Sequence, residues 1–141
     1  QDAIIHYKKS LRIYQDYAPA HGGIANSYFN QKQFRKAIPY LKEVIRLMPD
    51  LANAHAGLGL AYLNIFRNQD AIPFLQAAIR IKPDHASAHE NLGVAFARTK
   101  NISGAIKHYI IGQKLFERQN HTAEAAHARS NLRAILENAK T

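Results

Sequence analysis

The chain has 141 residues, 47% of them hydrophobic, and nineteen Lys and Arg stand against ten Asp and Glu for a formal charge of +9. That length and apolar content support one folded domain with a sizeable core, and no run approaches the roughly 20 uninterrupted apolar residues needed to cross a bilayer. The absence of cysteine excludes disulfides and thiolate metal sites and makes a reducing compartment, the cytoplasm, the default location, while the positive charge favours acidic partners.

In chain order, residues 1–11 show neither the basic start nor the apolar run of a secretory leader. Ala3, Ile4, Tyr7, Ser10 and Ile13 instead fall at helical spacing. A first helix follows around Ile24, Ala25 and Tyr28, then a second around Ala37, Ile38, Leu41, Val44 and Leu47, which Pro49 closes. The same pair returns 34 residues later as Leu58, Gly59 and Tyr62, then Ala71, Ile72, Leu75, Ala78 and Ile81, closed by Pro83. A third pair carries Leu92, Gly93 and Phe96, then Ala105, Ile106, Tyr109, Gly112 and Leu115. Glycine inside a helix costs about 1 kcal/mol against alanine, so Gly59 and Gly93 predict close approach of another helix. Pro39 and Pro73 lie early in second helices, which predicts that those helices begin late or bend. Glu117 replaces the closing proline in the third pair, so that helix is expected to run on or turn differently. From 122 to about 139 the 34-residue pattern stops, but Ala128, Leu132, Ile135 and Ala139 keep helical spacing and predict a capping helix.

At Leu58, Gly59, Tyr62, Ala71, Ala78 and Pro83, and at their equivalents one period away, the chain resembles the tetratricopeptide-repeat family, whose unit is a 34-residue helical hairpin. The resemblance implies an all-α, right-handed superhelical solenoid of antiparallel helix pairs. Full units are expected at 18–51, 52–85 and 86–119, with 1–17 the second helix of a truncated unit and 120–141 the cap. One departure is that His21, His55 and His89 stand where the family usually has a large aromatic early in the first helix. One repeat apart, on the order of 10 Å, they cannot share a metal ion and read as packing residues between helices. His85 and His89 have the i, i+4 spacing of a helical metal site, but no third ligand accompanies them.

No catalytic or cofactor motif is present. Gly57-Leu58-Gly59 lacks the third glycine and the preceding strand of a phosphate loop, and the serine-hydrolase, phosphate-loop lysine and zinc-peptidase signatures are all missing. The expectation is a non-enzymatic protein without cofactor or metal. Attachment of the repeats to an enzyme such as a glycosyltransferase is the weakest alternative.

Once the core columns are assigned, each first helix keeps one free stripe. The resemblance implies that this stripe lines a concave groove for an extended or helical peptide. The candidate peptide-binding residues are Asn26, Phe29, Asn30, Leu60, Leu63, Asn64, Asn91, Val94 and Arg98. The amides can serve a peptide backbone and the apolar groups a side chain. The alternative for Leu60 and Leu63 is packing against neighbouring hairpins. Gly22, Gly57 and Ser87 occupy the places of the family's lysine, arginine and asparagine clamp for a chaperone carboxylate tail, so that clamp is not expected. The function expected is a protein-interaction scaffold binding a peptide or protein segment, acidic in keeping with the charge. Self-association through the N-terminal half unit is also expected, with Ala3, Ile4, Tyr7, Leu11 and Tyr14 as its face. The alternative is a basic nucleic-acid-binding module using Lys8, Lys9, Arg12, Arg35, Lys36, Lys42 and Arg46. These residues lack interleaved aromatics, so no specific nucleic-acid recognition is expected.

Overall fold

A computed structural model describes residues 2–139. Eight α-helices, and no strand, occur among them: α1 (Asp2–Ile13), α2 (Ala18–Asn30), α3 (Phe34–Leu47), α4 (Ala52–Asn64), α5 (Asn68–Ile81), α6 (Ala86–Arg98), α7 (Ile102–Arg118) and α8 (Thr122–Asn138). Each helix packs on its neighbours in sequence, and α4 also touches α6. This is the quasi-one-dimensional contact pattern of a helical repeat solenoid. Ile24, Leu58, Leu75 and Leu92 are the largest fully buried side chains, all from the columns that recur in the sequence.

Backbone chemistry explains the turns. At the ends of α2, α4, α6 and α7 the residues Lys32, Phe66, Lys100 and Asn120 adopt φ between 55° and 65°, the left-handed region. Each closes a six-to-one bond, Gln33 N–H to Tyr28 O at 2.8 Å, Arg67 to Tyr62 at 2.9 Å, Asn101 to Phe96 at 2.8 Å and His121 to Phe116 at 2.9 Å. A shorter bond nests inside each, such as Phe66 N–H to Leu63 O at 3.1 Å. Together these satisfy the last carbonyls of the helix in a Schellman motif, normally built on glycine. The turns after α3 and α5 use Pro49 and Pro83 instead.

The glycines have the reason the sequence predicts: a Cβ on Gly59 would lie 2.5 Å from Leu75 Cγ, and one on Gly93 would lie 2.7 Å from Tyr109 Cδ1. The late start that Pro39 and Pro73 allow for is not what occurs. Helices α3 and α5 start at Phe34 and Asn68, ahead of Pro39 and Pro73, and run through them. Both prolines are exposed, so the carbonyls of Arg35 and Gln69, which lose their intrahelical donors, can be served by water. Without a proline at 117, α7 continues to Arg118 and is 17 residues long against 14 for α3 and α5. Its extension carries Phe116, which is buried against Ala125 and Ala128 of α8. Glu117 accepts from Gln113 at 2.9 Å and from Arg129 of α8 at 2.8 Å.

Candidate peptide-binding groove

The repeated histidines are a structural device. His21 Nε2–H donates to the carbonyl of Gln15 at 2.9 Å, His55 to that of Pro49 at 2.8 Å and His89 to that of Pro83 at 3.0 Å. Each ring therefore ties a first helix to the carbonyl six residues back, at the end of the preceding second helix. A phenyl or indole ring facing that carbonyl through its carbons would leave it unpaired. Each ring also stacks inside its hairpin, a column that sequence reasoning missed. Tyr40 lies between His21 and Tyr28 with centroids at 6.0 and 5.9 Å, Phe74 between His55 and Tyr62 at 6.5 and 5.7 Å, and His108 between His89 and Phe96 at 5.2 and 5.7 Å. The signal was available, since residues 40, 74 and 108 are 34 apart and all carry rings.

The third stack is chemically distinct. His89 Nδ1 and His108 Nδ1 are 3.0 Å apart. Because His89 uses Nε2–H on the Pro83 carbonyl, its neutral Nδ1 is the acceptor and His108 Nδ1–H the donor. Burial, reinforced by the neighbouring His89 and Lys107, lowers the His108 pKa to about 4, and burial lowers that of His89 as well. His85 caps α6 by accepting from Ala88 N–H at 3.3 Å, while its Nε2–H donates to Asn53 Oδ1 at 3.0 Å. Both nitrogens of His85 and of His89 are thus engaged, and no group of three or more His, Asp or Glu arranged to hold a metal ion occurs among the described residues.

The predicted groove residues divide into two sets. Leu60, Leu63, Asn64, Asn91, Val94 and Arg98 converge on one depression of about 220 Å³ between α4 and α6. Leu63 is only 3% exposed and belongs to the central core, so it forms the floor, while Leu60 and Val94 are half-buried walls. Asn26 and Asn30 are exposed on α2, outside this depression. Phe29 packs edge-on against Phe34 at 5.2 Å. Gly23, on the same stripe, is covered by the ring of Tyr7 from α1.

Phe66 completes the depression and was not foreseen. It is the most exposed large hydrophobic residue, at 79%, and sits in the left-handed conformation at φ 61°. Arg98 lies over its ring at 5.6 Å and donates to the carbonyl of Leu63 at 3.0 Å and to Asn68 Oδ1 at 3.4 Å, fastening the third hairpin to the turn of the second. A strip scored only for helical periodicity cannot contain a turn residue.

A second depression, about 470 Å³, lies one repeat earlier and shares Asn64 with the first. Its other lining residues are Lys32, Gln33, Phe34, Arg35, Lys36 and Ile65. The basic residues of the second helices are all exposed, and Arg46 among them is paired with Asp16 and Glu43.

Fold and groove together define a helical-repeat scaffold for protein interaction. A tetratricopeptide-repeat family model matches residues 23–86 and 67–110, and the chain belongs to that family. Among solved structures, a double mutant of MamA RS-1 shares 26% identity with a TM-score of 0.79, the match covering 84% of this chain and 67% of that one. Another MamA crystal structure shares 24% identity at TM-score 0.75, covering 98% and 90%. The TPR2B domain of yeast Sti1, solved in complex with pHsp70, shares 16% at TM-score 0.81, covering 86% and 97%. No curated protein matches by sequence. No helix among the described residues is long and apolar enough to cross a membrane.

Proposed function

We propose that the chain holds an extended peptide segment of a partner protein in the groove lined by α2, α4 and α6, with the depression between α4 and α6 as the principal contact. The observation that carries this reading is the convergence of Leu60, Asn64, Asn91, Val94 and Arg98 over the Leu63 floor, with Phe66 at the rim. An apolar floor takes a partner side chain, and the amides of Asn64 and Asn91 pair with its backbone. Asn26 and Asn30 extend the path along α2. Peptide binding by solved relatives, including Sti1 with pHsp70 and Spaghetti with the Hsp90 peptide SRMEEVD, is consistent with this use of the fold. The reading assigns no reaction to the chain.

The test is to select peptides by display on the intact chain and remeasure them on Asn91→Tyr, whose ring fills the depression from a half-buried position. Affinity should fall about tenfold or more, as for loss of a central contact, with the helical circular dichroism unchanged. Equal affinity for both proteins would place the site elsewhere.

Self-association belongs to the same reading. Ile5, Ile13 and Tyr14 of the α1 region are 53%, 74% and 67% exposed, while Ile4, Tyr7 and Leu11 are half-buried, Tyr7 against Gly23 of α2. Sedimentation across a wide concentration range should show association that Tyr14→Asp weakens. A concentration-independent monomer in both would remove the interface.

A further inference from the structure

We infer that the hairpin-turn edge of the groove is a second, charged recognition strip that selects an acidic partner segment with a bulky apolar residue at its centre. The inference rests on the groove reading above and adds the chemistry of the occupant.

Lys32, Phe66 and Lys100 occupy the same position in three successive hairpins, 34 residues apart, and all three are exposed in the left-handed conformation with φ of 55°, 61° and 65°. Glycine adopts that conformation freely, whereas an L side chain is strained there. A large side chain kept at a strained, repeated position points to a use for the side chain. The three side chains form the order cation, aromatic, cation along one edge of the solenoid.

Neighbouring charges strengthen the pattern. Arg35 and Lys36 flank Lys32 around the depression that shares Asn64 with the groove, and Arg98 lies over Phe66. Among the described residues Lys32, Arg35, Lys36, Arg98 and Lys100 form no salt bridge. The carboxylate in the first turn of α5, Asp70, is held by Arg67 at 2.7 Å. The edge therefore presents uncompensated positive charge on both sides of an exposed ring, and the larger depression has the apolar residues Phe34 and Ile65 in its wall. Carboxylates beside an apolar side chain complement that arrangement. Nucleic acid fits less well, because one exposed ring offers a single base platform while successive bases call for several.

Spacing sharpens the prediction. Equivalent residues on adjacent hairpins are separated by about one helix-packing distance, roughly 10 Å. An extended peptide covers that in about three residues. The occupant is thus Asp or Glu, two spacers, a bulky apolar residue, two spacers, and Asp or Glu.

Random dodecapeptides displayed on phage and selected on the intact chain read this directly. The expected result is enrichment of that acidic, apolar, acidic pattern, with binding weakened by salt. Lys32→Glu combined with Lys100→Glu should lower affinity for the selected peptides at least about tenfold. Phe66→Gly should also weaken them while keeping or raising the melting temperature, a combination that a purely structural Phe66 would not give. Peptides that are sensitive to Asn91→Tyr but carry no acidic enrichment and ignore the lysine changes overturn the inference and leave the groove standing. Peptides insensitive to Asn91→Tyr and to the edge variants, or the recovery of none, overturn both. Tighter binding of a labelled single-stranded oligonucleotide than of the acidic peptides, lost in the double glutamate variant, also overturns it.

Discussion

The second and third hairpins share columns, turns and stacking, yet differ at the ring in the middle of the stack. In the second, Phe74 lies against His55, and His55 Nδ1 is buried without a hydrogen-bond partner; His21 Nδ1 is in the same condition beside Tyr40. In the third, His108 takes the place of Phe74 and its Nδ1–H satisfies His89. One hairpin tolerates an orphaned lone pair to keep an apolar ring, whereas the other satisfies it by burying a second titratable group. The same backbone thus carries two solutions, one with a single imidazole in its stack and one with two.

Removing the repeated histidine should separate the two solutions most strongly. His89→Leu deletes the tie to Pro83 and strands the His108 donor, and a buried donor left unpaired costs about 1–3 kcal/mol beyond the lost bond. His55→Leu loses the Pro49 tie but also removes an unsatisfied Nδ1. Urea midpoints should show His89→Leu less stable by roughly 2–3 kcal/mol and His55→Leu by about 1 kcal/mol. Equal losses would mean that the His89–His108 bond contributes nothing.

The comparison also shows what a sequence can reveal. The helices, the close approach at Gly59 and Gly93, and the solenoid were legible because each rests on a property repeated every 34 residues, so accident is averaged out. That Leu60, Asn64, Asn91, Val94 and Arg98 would share one depression was legible for the same reason, as the stripe left over when the core is subtracted. Leu63 was harder, because a face shared between groove and core looks the same in a periodic pattern, and the structure places its side chain in the floor. The place of Phe66 at the rim of the depression was illegible because it comes from a left-handed turn, a backbone property that no side-chain column reports. The His89–His108 bond was illegible because it depends on which ring nitrogens face each other across two helices. The course of α3 and α5 through their prolines depends on those residues facing water, which periodicity does not fix.

The smaller effect, and the more specific, is the transfer of acid sensitivity between hairpins. The His108 pKa in the folded chain is about 4, and the usual value of about 6.5 applies once unfolded. Between those values the unfolded chain binds the extra proton and the folded chain does not. The stability held by neutral His108 is therefore complete above about pH 6.5 and is lost as pH falls toward 4. Physically, the incoming proton goes to His108 Nε2, the nitrogen left free by the bond to His89, and places a charge in a half-buried stack beside Lys107. His108→Phe rebuilds the arrangement of the second hairpin. Its stability at pH 7 should lie within about 1 kcal/mol of the parent, since a neutral hydrogen bond is exchanged for apolar contact. Its decline between pH 6.5 and 4 should be shallower but not abolished, because His85 and His89 also have lowered pKa values. Phe74→His should do the reverse, giving His55 Nδ1 a donor at neutral pH and adding a second acid-sensitive stack. Melting temperatures of the parent and the two variants at half-unit steps from pH 7.5 to 4 measure this, and parallel curves for all three would show that the paired rings do not set the acid limb.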